Sequence, residues 1–333
     1  MARSRATILD IARELGLSKT TVSSALGGSG RISEEKRELI RETAKRLGYV
    51  TNRAARSLRV NRVGTIGLFI PPLARRLAFY MDFAFGVTEG AASADYDVTL
   101  FAREFTPERA FQVDGVIAID PAPGEPLVAA LLAAGIPTVS VGRYSGEGQD
   151  RILGTLEAHH AELQTSILDH LLSRGRKRPA LLAVDDYSSS WTLDTRTNYL
   201  EWCRRNLIEP LVHEVESNAT PRGLVAAISA AVEGDGADAL VCGAQGHAAQ
   251  SQIILEGRGL VLGRDVDVAS FAGAAALEVG NPLISAIDLE PRGYGEAATE
   301  LLDAVVRAPQ EAPVHRWFEG ATVHLADGVH LAD

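Results

Sequence analysis

The residues Lys19-Thr20-Thr21-Val22-Ser23-Ser24 place one ammonium and four hydroxyls within six positions. If the stretch is helical, Lys19, Thr20, Ser23 and Ser24 share its polar side. Short donor-rich side chains near a helix N-terminus can approach phosphates and base edges in a major groove. A solvated helix in a protein-interaction module would show the same pattern. Farther on, the run from Tyr49 to Arg59 is basic and holds one conspicuous leucine, Leu58, among polar neighbours. Alone it is too short to hold a helix in water. A third group, Ser188-Ser-Ser-Trp191-Thr-Leu-Asp-Thr-Arg196, combines hydroxyls, an indole and a guanidinium. That arginine would suit a bound carboxylate, phosphate or hydroxyl array, or it pairs locally with Asp194 or Glu201. His159-His160 invites a metal, but adjacent histidines on a helix point apart and no third ligand is evident. Cys203 and Cys242 sit in no CxxC or Cys/His spacing, so neither a zinc site nor a disulfide framework is expected, and a reducing cytoplasm fits.

The first group must be positioned by short helices. Thr7 can cap a helix over 8–15, with Asp10 three residues on completing a capping-box-like arrangement. Gly16 stops it, Ser18 caps a second helix through Leu26, and Ser33 caps a third to about Leu47, with Gly48 as its stop. Ile8, Ile11, Ala12 and Leu15 in the first, Val22, Ala25 and Leu26 in the second, and Leu39, Ile40, Ala44 and Leu47 in the third recur at helical spacing. Two helices joined by Gly16-Leu17-Ser18, with a third packed across them, form a helix-turn-helix unit.

From Gly64 the pattern changes to apolar, β-branched runs alternating with helical stretches. Strands are predicted at 65–70, 97–101, 115–119, 138–141, 180–184, 239–242 and 266–271. Helices are predicted at 83–93, 126–134, 161–172, 194–205, 224–232 and 246–255. Such alternation indicates parallel α/β sheets, and a second set of units begins near Ala158. Ligands of open α/β sheets bind beyond the strand C-termini.

Charge separates the two regions. The 333 residues carry a formal net charge of −10, which read as one number argues against a nucleic-acid partner. Residues 1–62, however, hold 14 Lys/Arg against 6 Asp/Glu, a net of +8, leaving −18 on the remainder. A basic head before an acidic body is the asymmetry of a small nucleic-acid-binding module preceding a soluble domain. No apolar run approaches the ~20 residues of a membrane span, and no export signal is evident.

The motifs Thr7-Ile-Leu-Asp-Ile-Ala, Leu17-Ser18-Lys-Thr-Thr-Val-Ser23, Ile32-Ser-Glu-Glu-Lys-Arg37, the basic run and Ile66-Gly-Leu-Phe-Ile-Pro71 occur in this order. Together they resemble the LacI/GalR family of bacterial transcriptional regulators, with weaker similarity reaching about residue 326. The resemblance implies an α/β chain: a three-helix helix-turn-helix head (1–52), a hinge helix and linker (53–62), and a two-lobed periplasmic-binding-protein-like domain (63–333) of parallel sheets flanked by helices. Lobe 1 would comprise about 63–157 and 290–319, and lobe 2 about 158–289 and 320–333. It also implies a cytoplasmic, non-enzymatic repressor without a cofactor. As a homodimer it would bind a palindromic double-stranded operator under the control of a small-molecule effector, with no membrane contact. Lys19, Thr20, Ser24, Ala55 and Leu58 would contact bases, Leu58 as a wedge in the minor groove. Thr7, Thr21, Ser23, Asn52, Arg53 and Arg56 would position the DNA backbone. Phe79, Tyr80, Trp191, Arg196, Gln245, His247 and Phe271 would line the effector cleft, although large aromatics equally build cores.

Departures from the family pattern matter. Ser24 replaces a usual Arg and Gly27 a usual Asn, so the operator differs from those of better-known relatives. His159-His160, Ala244-Gln245 and Ser270-Phe271-Ala272 replace motifs whose carboxylates bind sugar hydroxyls, so either the effector is not a simple monosaccharide or the cleft no longer binds tightly. The stretch from Phe101 to Val113 is shorter than the family's, in a region of dimer packing. No leucine heptads follow residue 307, so a coiled-coil tail is not expected. Two other readings compete. A doubly wound α/β enzyme acting on a small metabolite lacks a Gly-x-Gly-x-x-Gly fingerprint after a strand, and a free solute-binding protein would have no use for the basic head.

Overall fold

The structure, a computed structural model, describes residues 6–26, 30–49, 62–72, 77–101, 111–185, 189–216, 221–273, 275–308 and 313–327. The chain divides into two compact units, 1–64 and 65–333.

In the first unit, helix α1 (Ile8–Leu15) starts where Asp10 accepts from the Thr7 backbone N–H at 2.8 Å and from its hydroxyl at 2.7 Å. These bonds hold the Asp10 carboxyl below its ordinary range. Gly16 takes the left-handed conformation (φ 61°), which lets the Leu17 N–H return to the Ala12 carbonyl at 2.9 Å. Helix α2 (Lys19–Leu26) opens on Ser18, whose Oγ accepts from the Thr21 N–H at 3.0 Å. Helix α3 (Glu34–Arg46) follows Ser33. Ile11, Ala12, Val22, Ala25, Ile40 and Ala44 meet in one buried cluster. Leu39, expected on the apolar side of α3, is instead 51% exposed: Ile40 and Ala44 centre that face and leave Leu39 at its margin.

The second unit contains two six-stranded sheets. The first has β1 (Thr65–Phe69), β2 (Asp97–Leu100), β3 (Gly115–Ile119), β4 (Thr138–Val141), β5 (Gly154–Ala158) and β11 (Val314–Phe318). Their order is β11-β5-β4-β3-β1-β2, every pairing parallel. The second has β6 (Pro179–Val184), β7 (Leu211–Val215), β8 (Ala239–Cys242), β9 (Asp267–Ser270), β10 (Ile284–Asp288) and β12 (Thr322–His324). Its order is β12-β10-β9-β8-β6-β7, with only β12 antiparallel. Strands β1, β3, β4, β6, β8 and β9 are the buried apolar runs that sequence reveals. Strands β7 and β11 are half exposed and alternate with charged or polar residues, which is why their sequences do not announce them.

Helices cover the sheets: α4 (Ala78–Ser93), α5 (Pro126–Ala133), α6 (His160–Ser173), α7 (Ser190–Asn206), α8 (Pro221–Ser229), α9 (His247–Glu256) and α10 (Pro291–Arg307). Helix α10 returns to the first lobe and lies against α4 with almost no side chain between them. A Cβ on Gly86 would fall 2.0 Å from the Arg292 carbonyl oxygen, and one on Gly295 would fall 2.3 Å from that of Phe83. Around this crossing Phe83, Val87, Tyr294, Ala298, Leu301 and Leu302 join Ile66, Ile117 and Leu156 in the first-lobe core. In the second lobe α7 is fixed from two sides. The Trp202 indole donates to Asp169 of α6 at 2.7 Å, and the Tyr199 hydroxyl donates to the Pro179 carbonyl at 2.7 Å. Among the described residues no helix is long and apolar enough to cross a membrane.

Candidate functional site

The head presents a polar face built on α2. Lys19 and Thr20 are exposed, while Thr21 and Ser24 are half-buried. Thr7 is exposed, with its hydroxyl engaged by Asp10. Ser23 corrects the sequence reading: it is 9% exposed and faces inward beside Val22 and Ala25. Helical geometry places Ser23 within 100° of Val22, and packing against α1 and α3 covers that whole side. Asn52, Arg53, Ala55, Arg56 and Leu58, and the Phe101–Val113 shortening through residues 102–110, lie outside the described residues.

The second unit holds a cleft of about 870 Å³, its mouth included, between the lobes. First-lobe strand ends supply Asp120 after β3, Gly142 and Arg143 after β4, and Glu157 within β5. Helix α4 adds Phe79 and Tyr80, and α10 adds Tyr294. From the second lobe come Ser190, Trp191 and Asp194 on α7, Gln245 after β8 and Phe271 after β9. Strand C-termini therefore do converge on the cavity, as open α/β sheets require.

Among the described residues, two connections bridge the lobes across this cleft. The Arg143 guanidinium donates to Glu157 Oε1 at 2.5 Å and to both Asp194 oxygens at 2.5 and 2.7 Å, while its backbone N–H reaches Ser190 Oγ at 3.0 Å. Burial works against the Arg143 charge, but the bonds to Asp194 and Glu157 outweigh it and hold the guanidinium above its usual range. On the other side Gln245 Oε1 accepts from the Phe79 N–H at 3.1 Å. Asp120 stands apart from the ion pairs. Its Oδ2 accepts from the Tyr80 hydroxyl at 2.8 Å, and burial pushes its carboxyl up to about 7 against the opposing effect of that bond. Burial likewise lowers His160, although Asp194 and Glu157 partly compensate.

Five residues expected in the cleft, Phe79, Tyr80, Trp191, Gln245 and Phe271, line it. Two do not. Arg196 Nη1 donates to Glu214 of β7 at 2.9 Å, away from the cavity. Residues two apart on a helix point in nearly opposite directions, so Asp194 facing the cleft turns Arg196 outward. Among the described residues its ion pair is with Glu214, not with Asp194 or Glu201. His247 is 3% exposed inside the second lobe: left-handed Gly246 (φ 82°) starts α9 at once and carries the imidazole into the interior, where burial lowers its pKa. His159 and His160 diverge, the first stacking on Trp317 at 4.5 Å and the second lining the cleft.

The sequence reading missed Asp120, Arg143, Glu157 and Asp194, and so described the cleft as poor in carboxylates. Asp120 and Arg143 were findable, since they sit at the C-terminal ends of the plainest apolar runs. Glu157 had no signal, lying inside a strand that sequence does not mark.

Comparison with known proteins fits this geometry. The sequence profile described as bacterial regulatory proteins, lacI family, matches residues 7–52, and that of a periplasmic binding protein-like domain matches 168–325. The chain belongs to the LacI family. Catabolite control protein A of Staphylococcus xylosus is 27% identical over 188 residues, 54% of this chain and 56% of that relative, so this alignment spans little over half of its length. The protein of the same name from Staphylococcus aureus (strain MRSA252) is 23% identical over 326 residues, covering 93% of this LacI-family chain and 97% of the relative. The lac repressor dimer bound to operator and the anti-inducer ONPF shares the fold, with a TM-score of 0.76 at 20% identity over 96% of this chain and 98% of that one. The enzyme reading finds no favour among these relatives.

Proposed function

We propose that this LacI-family transcriptional regulator is a repressor that binds a palindromic operator as a homodimer, under control of a small molecule held between the lobes. The observation that carries the reading is the exposed Lys19-Thr20 face on a helix whose opposite side is locked by Ile11, Val22 and Ile40, in a segment matching the family's DNA-binding profile. In this reading Lys19, Thr20 and Ser24 reach base edges, and Thr7 and Thr21 position phosphates. Ser23 braces α2 from inside. Ala55 and Leu58 enter the minor groove, while Asn52, Arg53 and Arg56 hold the backbone beside them. The functional divisions are the head 1–52, the hinge and linker 53–62 and the effector domain 63–333, with lobe 1 at about 63–157 and 290–319 and lobe 2 at about 158–289 and 320–333. Phe79, Tyr80, Trp191, Gln245 and Phe271 form the effector site, and Arg196 and His247 serve the lobe's structure instead. The protein works in the cytoplasm, where its DNA is.

An effector that prefers one lobe arrangement shifts DNA affinity by the difference of its affinities for the two states, typically ~1–3 kcal/mol. Footprinting of full-length protein on the DNA upstream of its own gene tests the proposal. A protected two-fold symmetric site, lost in Lys19→Ala and in Leu58→Ala, supports it. Binding that ignores sequence, or that survives both substitutions, overturns it.

A further inference from the structure

The outward turn of Arg196 changes the sign of the cleft. With that arginine gone, the carboxylates lining the cavity among the described residues are Asp120, Glu157 and Asp194, with Arg143 bonded to the last two at its border. Arg143 is already engaged by Glu157 and Asp194, and the second Glu157 oxygen pairs with His315 Nε2 at 2.8 Å. A phosphate or carboxylate ligand would therefore meet surplus negative charge and a cation that is taken. Asp120 is the carboxyl outside this network, held by Tyr80.

The hydrogen-bonding inventory points the same way. Tyr80 donates to Asp120, Gln245 Nε2 donates to the Gly273 carbonyl at 3.5 Å, and Arg143 donates to the two carboxylates. Among the charged groups and Gln245 the surplus is of acceptors, beside the Ser190 hydroxyl and the Trp191 indole N–H. A polyol brings as many acceptors as donors, whereas an ammonium brings donors alone. The walls are aromatic: Tyr80, Trp191, Phe271 and Tyr294 face the cavity, and π-faces attract cations.

We propose that the effector is a small protonated amine with an apolar or aromatic body, its ammonium bound by Asp120 and its body enclosed by the aromatic walls. The proposal rests on the reading of the cleft as the effector site. It carries a pH signature. Among the described residues, the titratable and charged groups that share the cavity with Asp120 are Tyr80 on α4, Tyr294 on α10, Glu157 on β5, His160 on α6 and Asp194 on α7, with Arg143 after β4 bonded to Glu157 and Asp194. Burial keeps the Tyr294 phenol protonated far beyond neutrality and lowers His160. With the free carboxyl of Asp120 near 7, an ammonium that requires its ionised form binds about tenfold tighter at pH 8 than at pH 6.

The test is calorimetric titration of the full-length protein with matched pairs, phenethylamine against phenethyl alcohol and putrescine against butanediol, with glucose as a polyol. At least one amine should bind at least tenfold more tightly than its alcohol. Asp120→Asn should remove that preference together with the rise between pH 6 and pH 8, while Gly124→Ala, which lies off the cleft and whose Cβ would meet nothing within 4 Å, should keep both. Tighter binding of the alcohols or of glucose, abolished by Phe271→Ala, overturns the amine and leaves the cleft as the effector site. Binding of any probe that survives both Asp120→Asn and Phe271→Ala overturns the amine and the cleft reading together. Absence of amine binding at millimolar concentration also overturns the amine.

Discussion

Gly295→Ala places a methyl group where α4 and α10 touch backbone to backbone. Its carbon would lie 2.3 Å from the Phe83 carbonyl oxygen and 2.7 Å from the Val87 nitrogen. Carbon–oxygen contacts settle near ~3.3 Å, so the helices must part by about 1 Å there. Neither obstacle is a flexible side-chain tip, and a gap of that size forfeits roughly a quarter to a half of each dispersion contact along the seam. Overpacking costs about 1–3 kcal/mol, and rigid neighbours put this site at the upper end. Alanine's better helix propensity returns about 1 kcal/mol, leaving a net loss of about 2 kcal/mol. For a domain of this size that is a fall of about 4–8 °C in midpoint. All three tryptophans, Trp191, Trp202 and Trp317, lie in the second unit, so their fluorescence during urea unfolding reports this unit directly. Gly124→Ala, whose Cβ would meet nothing within 4 Å, should stay within about 0.5 kcal/mol of wild type. Gly86→Ala combined with Gly295→Ala should cost less than the two separately, because the first methyl already opens the seam. If Gly295→Ala instead stabilises the domain by about 1 kcal/mol, propensity governs the site and the close crossing has no energetic weight.

Other expectations follow from the cleft and the head. Asp120→Asn should stabilise the ligand-free domain more at pH 8 than at pH 5, the gain vanishing only below the unfolded carboxyl's value of 3.8. The folded carboxyl is raised from 3.8 to about 7, so the folded state retains the proton that the unfolded state loses, and stability falls as pH rises through that window. The full difference corresponds to about 4 kcal/mol, and water in the open cleft reduces it to about 2 kcal/mol; a thermal melt series from pH 5 to pH 8 shows whether the two curves diverge. Arg143→Met leaves the buried Glu157 carboxylate with His315 alone and should cost about 2 kcal/mol at pH 7; a double-mutant cycle with Glu157→Gln that shows no coupling would refute the electrostatic account. Lys19→Ala should weaken DNA binding and lower the slope of log affinity against log salt by about one, measured by fluorescence anisotropy. An unchanged slope would remove Lys19 from the phosphate interface.

What the sequence disclosed depended on whether a residue's role is local. Thr7, Asp10, Gly16, Ser18 and Gly48 act within one helical turn, so the head's elements were legible to within a residue or two. The buried parallel strands were legible because both faces are covered, whereas β5, β7, β10, β11 and β12 mix polar residues or run short. The cleft was half legible. Aromatic positions and Gln245 followed strand ends, but the choice between Arg196 and Arg143 depends on the orientation of α7, set through Trp202 and Tyr199 by distant partners. Ser23 failed for a related reason: a hydroxyl on a short helix looks exposed until a third helix is seen to cover it.

The place of α10 and β11 has a consequence for how the protein is made. The core cluster of the head draws only on residues between Ile8 and Tyr49, so its fold is complete early in synthesis. The first lobe is begun next but completed only after nearly all of the second has been made, because its core needs Tyr294, Leu301 and Val305 and its sheet edge needs Val314–Phe318. Until those residues leave the ribosome, Phe83 and Val87 lack their helical partner, whereas the second lobe, encoded between the two pieces, wants only the short strand Thr322–His324. A chain cut short before Pro291 would carry a finished head on an unfinished lobe, which leaves the apolar side of α4 for chaperones and proteases to find before that head can compete for DNA.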